Sequence, residues 1–223
     1  MIGIKASSIQ IGGGSCDYPA YVASAETYST SGSNCVINKP SGTTEGDLMV
    51  AIIQFNANTT ITPPTDWIQI DEDDGISSVA TVIIYYKIAG ASEPSDYTWT
   101  ASSTRHGGII ATFSGSFDSD PSNGAFSYVY ISSAVETDVS ADAMTLADGC
   151  AMVIYAGAYD QVAASVWTPP LGWDDACANA GGNNVYLGYK TFENSGSTGS
   201  VGYSIDETNA YKIAWLWSFV TNT

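Results

Sequence analysis

Thr62-Pro63-Pro64-Thr65-Asp66-Trp67 recurs 106 residues later as Thr168-Pro169-Pro170-Leu171-Gly172-Trp173. Each copy is preceded by an apolar run and is followed by a second apolar run that ends in Tyr-Lys. These runs span residues 48–53 and 82–87 around the first copy, and 150–155 and 185–190 around the second. Self-similarity at a fixed spacing is the signature of a duplicated structural unit. The order of the motifs therefore predicts an internal duplication.

The spacing of turn-forming residues from residue 35 onward is typical of an all-β protein. Short apolar or alternating runs are separated by Gly, Pro, Asn, Asp and Ser, and no stretch shows convincing helical periodicity. About five strands in each half are too few to bury an apolar face alone, so the halves should pack as facing or intermixed sheets. We predict one jelly-roll-like β-sandwich domain, residues 35–223, with an internal pseudo-twofold repeat of halves about 35–118 and 137–220. Two sequential small domains are the alternative.

The predicted strands span residues 35–37, 48–55, 67–70, 79–89, 96–101, 108–114, 126–132, 143–146, 150–159, 185–192, 199–205 and 211–220. Residues 1–34 are rich in Ser, Gly and Tyr without a persistent period, which predicts an extended N-terminal arm that orders against another surface. The runs 48–53 and 82–86 are continuously apolar, so both faces of these strands need cover. That cover is another subunit, the arm, or loops of the same chain.

Charge narrows the classes of partner. The 223 residues include 23 acidic and 6 basic side chains, a net charge of −17. This disfavours nucleic acid, whose binding requires Lys and Arg, and it disfavours anionic membrane surfaces. No signal-peptide pattern and no apolar stretch of roughly 18 to 20 residues is present, so we expect synthesis in a cytoplasm and no membrane span.

Four cysteines are widely spaced: Cys16, Cys35, Cys150 and Cys177. The absence of a Cys-x-x-Cys pair disfavours a zinc site. Free buried thiols are favoured over the pairings Cys16 with Cys35 and Cys150 with Cys177.

The Thr-Pro-Pro-x-x-Trp element is predicted to form a structural corner. Paired prolines fix φ and cannot donate to a sheet ladder, so they end a strand, and the Trp then places its ring on the end of the core. Gly172 in one copy aligns with Asp66 in the other, which predicts a left-handed backbone tolerated by a short polar side chain. The alternative is a glycan-stacking platform of Trp67, Trp167 and Trp173.

The sequence contains no recognisable catalytic, metal-binding or cofactor-binding motif. The run of residues 71–75 (Asp-Glu-Asp-Asp-Gly) lacks the ligand spacing of a calcium loop and is predicted to be a solvated hairpin tip, as is Asp174-Asp175. The single histidine, His106, has no nucleophile motif beside it and is expected in a hairpin loop. Phosphate loops, dinucleotide fingerprints and paired His ligands are absent, so we expect no enzyme activity, no cofactor and no metal.

A family resemblance rests on several short motifs in order. Pro40-Ser41-Gly42-Thr43, then Gly46-Asp47-Leu48-Met49-Val50-Ala51, the first Thr-Pro-Pro-x-x-Trp, and the stretch 85–99 (YYKIAGASEPSDYTW) resemble a module common in virion proteins of tailed bacteriophages. The resemblance covers residues 36–220 and departs at Asp66, where the family has Gly. It implies a non-enzymatic β-sandwich virion protein and carries over no catalytic residues.

Three functions are consistent with these sequence features. The first is a capsid decoration (cement) protein, assembled in the host bacterial cytoplasm, that binds the outer capsid surface as a homotrimer. Its partner would be the major capsid protein or another virion protein, contacted by the arm through Ile2, Ile4, Ile9, Ile11, Tyr18 and Tyr21. The second is a tail fibre or receptor-binding protein that recognises host surface glycans. The third is a secreted glycan-degrading enzyme or its binding module.

Overall fold

The computed structural model describes residues 18–76, 80–117, 120–121, 124–131, 137–147, 151–159, 167–178, 185–205 and 212–219. In these ranges the chain forms seventeen strands and no α-helix, so the predicted all-β class is confirmed. The strands are β1 (Ala20–Ser29), β2 (Asn34–Asn38), β3 (Leu48–Phe55), β4 (Ile68–Ile76), β5 (Ala80–Ile88), β6 (Asp96–Thr100), β7 (His106–Ser114), β8 (Phe126–Ile131), β9 (Asp138–Ala141), β10 (Thr145–Leu146), β11 (Ala151–Tyr159), β12 (Trp167–Thr168), β13 (Asp174–Ala178), β14 (Val185–Phe192), β15 (Gly196–Ser197), β16 (Val201–Ile205) and β17 (Lys212–Phe219).

Antiparallel pairing joins these strands into two large and three small sheets. The first large sheet has the order β1-β7-β3-β5-β4, and the second has the order β8-β17-β11-β14-β13. The first small sheet is β2-β6, with an isolated bridge from Thr62 to Thr100 on its far side, and the second small sheet is β9-β16-β12. A short pair, β10-β15, completes the described strands. The first large sheet is built from strands between residues 20 and 114, and the second from strands between residues 126 and 219.

The two large sheets pack face to face and enclose the central core. Alternate residues of β3, β5 and β7 meet alternate residues of β11, β14 and β17, because successive side chains of a strand point to opposite faces. The central core includes Leu48, Val50, Ile52, Val82, Ile84, Tyr86, Ile109, Phe113, Met152, Ile154, Leu187, Ile213, Trp215, Trp217 and Phe219.

Each large sheet also carries a small sheet on its outer face. The remaining side chains of β3 and β5 pack against β2 and β6, with Trp99 at the centre of that core. The remaining side chains of β11 and β17 pack against β9 and β16, around Tyr155 and Tyr203. The result is four layers in the order small, large, large, small.

This arrangement explains the continuously apolar runs. β3 is buried along its whole length, and so are residues 80–86 of β5, because a small sheet covers one face and the opposite large sheet covers the other. β11 and β17 are buried along their whole lengths for the same reason. The cover therefore comes from sheets of the same chain. Neither a second subunit nor the N-terminal arm is required.

Polar contacts fix the two halves against each other across the central core. Gln54 is buried, and a hydrogen bond from its Nε2 offsets part of the cost of removing its amide from water. Among the described residues, the hydrogen bonds that link the halves include Gln54 Nε2 to the Tyr159 carbonyl (3.0 Å), the Trp215 indole N–H to Asp71 Oδ2 (2.8 Å), and the Tyr21 hydroxyl to the Ala176 carbonyl (2.9 Å).

The prediction of an arm over residues 1–34 fails for its second part. Residues 20–29 form β1, which pairs with β7 from Ala20 opposite Ser114 to Ser29 opposite His106. The Ala- and Ser-rich sequence shows little apolar alternation, so pairing with the buried strand β7 determines its conformation. Residues 1–17 of the predicted arm lie outside the described residues.

Candidate functional site

The two Thr-Pro-Pro-x-x-Trp elements form corners of the same geometry. The Trp67 N–H donates to the Pro64 carbonyl (3.4 Å), and the Trp173 N–H donates to the Pro170 carbonyl (3.2 Å). The residue before each Trp has a positive φ, 66° at Asp66 and 79° at Gly172, as the third position of a type II turn requires. The predicted structural corner and its left-handed residue are both present.

The glycan-stacking alternative does not fit the burial of the tryptophans. Trp67 is 5% exposed and lies edge-on to Tyr97 and Trp99, with ring centroids 5.1 Å away in each case. A buried indole has no free face for a sugar ring.

The second-half tryptophans likewise fail to form a shared surface. Trp167 is 7% exposed and packs among Tyr159, Tyr186 and Tyr203. Trp173 is half-buried, with its ring 6.4 Å from that of Phe192. The three predicted side chains therefore make no stacking platform.

Beside the first corner lies a groove of about 450 Å³ that the sequence reading did not single out. Its walls come from the corner, from the end of β5 and from the turn that leads into β6. The lining residues are Pro64, Thr65, Asp66, Lys87, Gly90, Ser92, Glu93, Pro94, Asp96, Tyr97 and Thr98. Lys87 and Glu93 lie on either side of the turn after β5, so their six-residue separation was the available sequence signal.

Glu93 is the most strongly bound polar group of the groove. Its buried carboxylate accepts the Gly90 N–H (2.6 Å) and the Tyr97 hydroxyl (2.7 Å), and it pairs with Lys87 Nζ (2.9 Å). Burial alone would raise its pKa, but these three donors together lower the pKa of Glu93 below its usual value. A carboxylate with a low pKa is a poor general base near neutral pH.

Lys87 is held by several contacts at once. Its ammonium nitrogen lies 2.9 Å from Glu93, 3.9 Å from the exposed carboxylate of Asp66, and 5.7 Å from the ring centroid of Tyr97. In the other half Lys190 lies over the ring of Phe192 (5.3 Å), but Gly172 takes the place of Asp66. The groove thus presents a fixed, mixed-charge surface, and nothing in its geometry activates a nucleophile.

His106 lies at the first position of β7, not in a hairpin loop as predicted. Its ring is buried and stacks on Phe55 (4.9 Å), and its Nδ1 lies 2.9 Å from the Thr104 carbonyl, to which it donates. His106 thus begins strand β7, and its ring packs against Phe55. Its position gives no geometry for proton transfer to a substrate.

The acidic run is also placed differently from the prediction. Residues 71–75 lie within the edge strand β4, which pairs with β5 and shifts register between Gln69 and Asp71 and between Asp73 and Ile76. An edge strand tolerates charge because one side of its backbone faces solvent. Asp174 and Asp175 similarly begin strand β13, where Asp175 accepts the hydroxyl of Tyr186. Neither acidic segment is a hairpin tip.

The predicted capsid-contact residues are only partly described. Tyr18 is half-buried ahead of β1. Tyr21 packs its ring against Phe113 (5.9 Å) and Tyr189 (5.6 Å) and donates to Ala176, so it serves the contact between the two halves. Ile2, Ile4, Ile9 and Ile11 lie outside the described residues.

The two described cysteines, Cys35 and Cys177, are free, as predicted. Burial raises the pKa of the Cys35 thiol to about 12. Burial, and then the charge of Glu26, raise the pKa of Cys177 to about 12 as well. Such thiols carry little thiolate at neutral pH and are weak nucleophiles. Cys16 and Cys150 lie outside the described residues.

Within the described ranges, no three His, Cys, Asp or Glu side chains come close enough together to hold a metal ion. The same part of the chain has no apolar helix of the length that a bilayer requires. No family model, curated protein or solved structure matches the chain.

Proposed function

We propose that the chain is a non-enzymatic structural protein of a tailed-phage virion. Its role would be capsid decoration, with binding to the outer surface of the capsid as a trimer. The observation that carries the proposal is a four-layer body that buries both of its large sheets within one chain. Such a body needs no partner to complete its core. The proposed attachment to a particle uses residues 1–17, which lie outside the described residues.

We also propose that the two halves are an internal repeat, each with jelly-roll-like connections. Corresponding strands occupy corresponding places in the two large sheets, and β2-β6 corresponds to β9-β16 in the small ones. The corner before β4 and the corner before β13 share one turn geometry. The jelly-roll pattern is then repeated within each half and does not extend once over the whole chain.

The described polar groups support a binding role over a catalytic one. The carboxylate of Glu93 is already bound by three donors, and His106 is buried at a strand end. The tail-fibre alternative rested on tryptophans of which two are buried. Because the chain itself covers both large sheets, a threefold contact would have to use another surface.

A binding experiment tests this proposal. The purified chain of residues 1–223 is added to capsids assembled without it, and bound copies and the temperature of capsid disruption are measured. We expect saturable binding and a higher disruption temperature. A protein that does not bind capsids but blocks adsorption of the phage to cells would overturn decoration in favour of receptor binding.

The N-terminal segment can be tested separately because β1 begins at Ala20. Deletion of residues 2–17 keeps β1, whereas deletion of residues 2–30 would remove an entire strand of the first large sheet. We expect the shorter deletion to retain the unfolding temperature of the full chain and to lose capsid binding. Full occupancy by the truncated protein would contradict the role of the arm.

A further inference from the structure

Four strand edges terminate the two large sheets, and three of them carry features that discourage pairing. β1, β4 and β13 each have a register shift. Each also carries acidic side chains, such as Glu26 on β1, Asp71 on β4 and Asp174 on β13. Bulges and charges are the usual means by which proteins prevent edge-to-edge association.

The fourth edge strand, β8, has neither feature. It pairs with β17 without a register shift, from Phe126 opposite Trp217 to Ile131 opposite Lys212. None of its residues is charged, and the uncharged sequence extends over residues 121–135. A protein with a net charge of −17 would repel copies of itself over most approaches, but much less at an uncharged edge.

β8 also exposes an aromatic row. Phe126, Tyr128 and Tyr130 are 40%, 59% and 39% exposed. They lie on the same face as Ile213, Trp215 and Trp217, which belong to the central core. On the first large sheet, contacts to that face come from Tyr86 on β5 and Asp71 on β4. Because β4 is the last strand of that sheet in the described part of the chain, no further described strand of the sheet lies opposite β8.

We propose that β8 pairs antiparallel with β8 of a second copy about a twofold axis. A register centred on Tyr128 places Tyr128 opposite its counterpart and Phe126 opposite Tyr130 of the second copy. All the aromatic rings then lie on one face, where cross-strand aromatic pairs stabilise a sheet. The backbones of the two β8 strands then hydrogen-bond to each other, and the two five-stranded sheets become one of ten strands.

This contact does not rest on the proposed capsid role. It is isologous, so it closes at two copies and does not propagate into a fibre. If the proposed trimer also forms, the two contacts together give an even-numbered assembly. The twofold contact therefore predicts a mass that is an even multiple of the 23.3 kDa chain.

The test is the mass of the full chain in solution over a range of concentrations, measured by sedimentation or light scattering. We expect an even-numbered assembly for the natural protein. Tyr128→Glu places two like charges opposite each other at the axis and should weaken the association by about tenfold or more. Leu171→Glu adds the same charge at a fully exposed corner residue and should leave the mass unchanged.

Hydrogen exchange of the β8 amides provides a second readout that needs no substitution. Protection of residues 126–131 should rise with protein concentration. A natural protein that stays monomeric or trimeric, or a folded Tyr128→Glu variant that keeps the natural mass, would overturn the proposal. A monomer whose β8 amides are protected at every concentration would overturn it too, because another segment of the same chain would then cover the edge.

Discussion

Asp71→Ala should destabilise both halves of the protein, although Asp71 lies in only one of them. Its carboxylate accepts the indole N–H of Trp215 at 2.8 Å, across the central core. Trp215 is fully buried, so the substitution leaves an indole N–H without its acceptor. Hydrogen bonds to charged groups contribute about 1.5 to 3 kcal/mol. Because Asp71 is half-buried and water can replace part of the contact, we expect about 1.5 to 2 kcal/mol.

In a chain of this length, that loss corresponds to a fall of roughly 3 to 8 °C in unfolding temperature. The assay is denaturant unfolding followed by tryptophan fluorescence and by far-UV circular dichroism, with calorimetry for cooperativity. Asp142→Ala removes one exposed carboxylate elsewhere and is the matched control.

A double-mutant cycle isolates the hydrogen bond from other effects. Trp215→Phe removes the donor but also removes ring volume from the central core, so its own cost is larger. Combined with Asp71→Ala, it should show a coupling of about 1 kcal/mol or more, because each single variant already loses the same bond. A loss below about 0.5 kcal/mol in Asp71→Ala would refute the reasoning. Two separate unfolding transitions in the natural protein would also refute it, since the halves would then not be coupled.

Three further outcomes follow from the described groups. The pKa of Glu93 is lowered in the folded protein, so Glu93 stabilises the fold fully above its ordinary pKa of 4.5, and this stabilisation is lost as pH falls through the folded pKa. Glu93→Gln should remove this part of the acid dependence in unfolding curves measured at successive pH values. Gly172→Ala should lower the free energy of unfolding by about 1 to 2 kcal/mol, because φ is 79° and non-glycine residues are strained there, whereas an unchanged value would argue against the left-handed turn. Cys35 and Cys177 should react slowly with alkylating reagents at pH 8 because their raised pKa values leave little thiolate, and the reaction of Cys177 should accelerate as pH rises toward its pKa of about 12. Rapid labelling of both thiols in the folded protein at pH 8 would contradict these raised pKa values.

The buried strands of the large sheets could be predicted from sequence, whereas β1 could not. Continuous apolar runs give β3 and β5 directly, because only a strand covered on both faces tolerates such composition. β1 contains mostly Ala, Ser and Thr with few large apolar side chains, and its pairing with β7 is a tertiary contact. Local pattern also cannot tell what covers a doubly apolar strand, so the face-to-face packing of the two large sheets was one of several open arrangements.

In the candidate site too, features set by local sequence could be predicted, and features set by tertiary contacts could not. Paired prolines fix φ and end a strand whatever the rest of the chain does, so the corners could be predicted from sequence. The alignment of Gly172 with Asp66 likewise predicted the left-handed conformation found at both residues. Whether an aromatic ring faces solvent depends on layers that are distant in the chain, and the proposed sugar platform failed for that reason. The groove around Lys87 and Glu93 requires the turn after β5 to bring the two side chains together, which their spacing alone does not specify.

The proposal that this chain decorates a phage capsid is tested most directly by its copy number in purified virions of a phage whose genome is found to carry this sequence. The measurement is quantitative mass spectrometry normalised to the major capsid protein. Capsid decoration predicts an abundance comparable with that of the major capsid protein. A few copies per particle would place the protein in the tail and contradict the proposal.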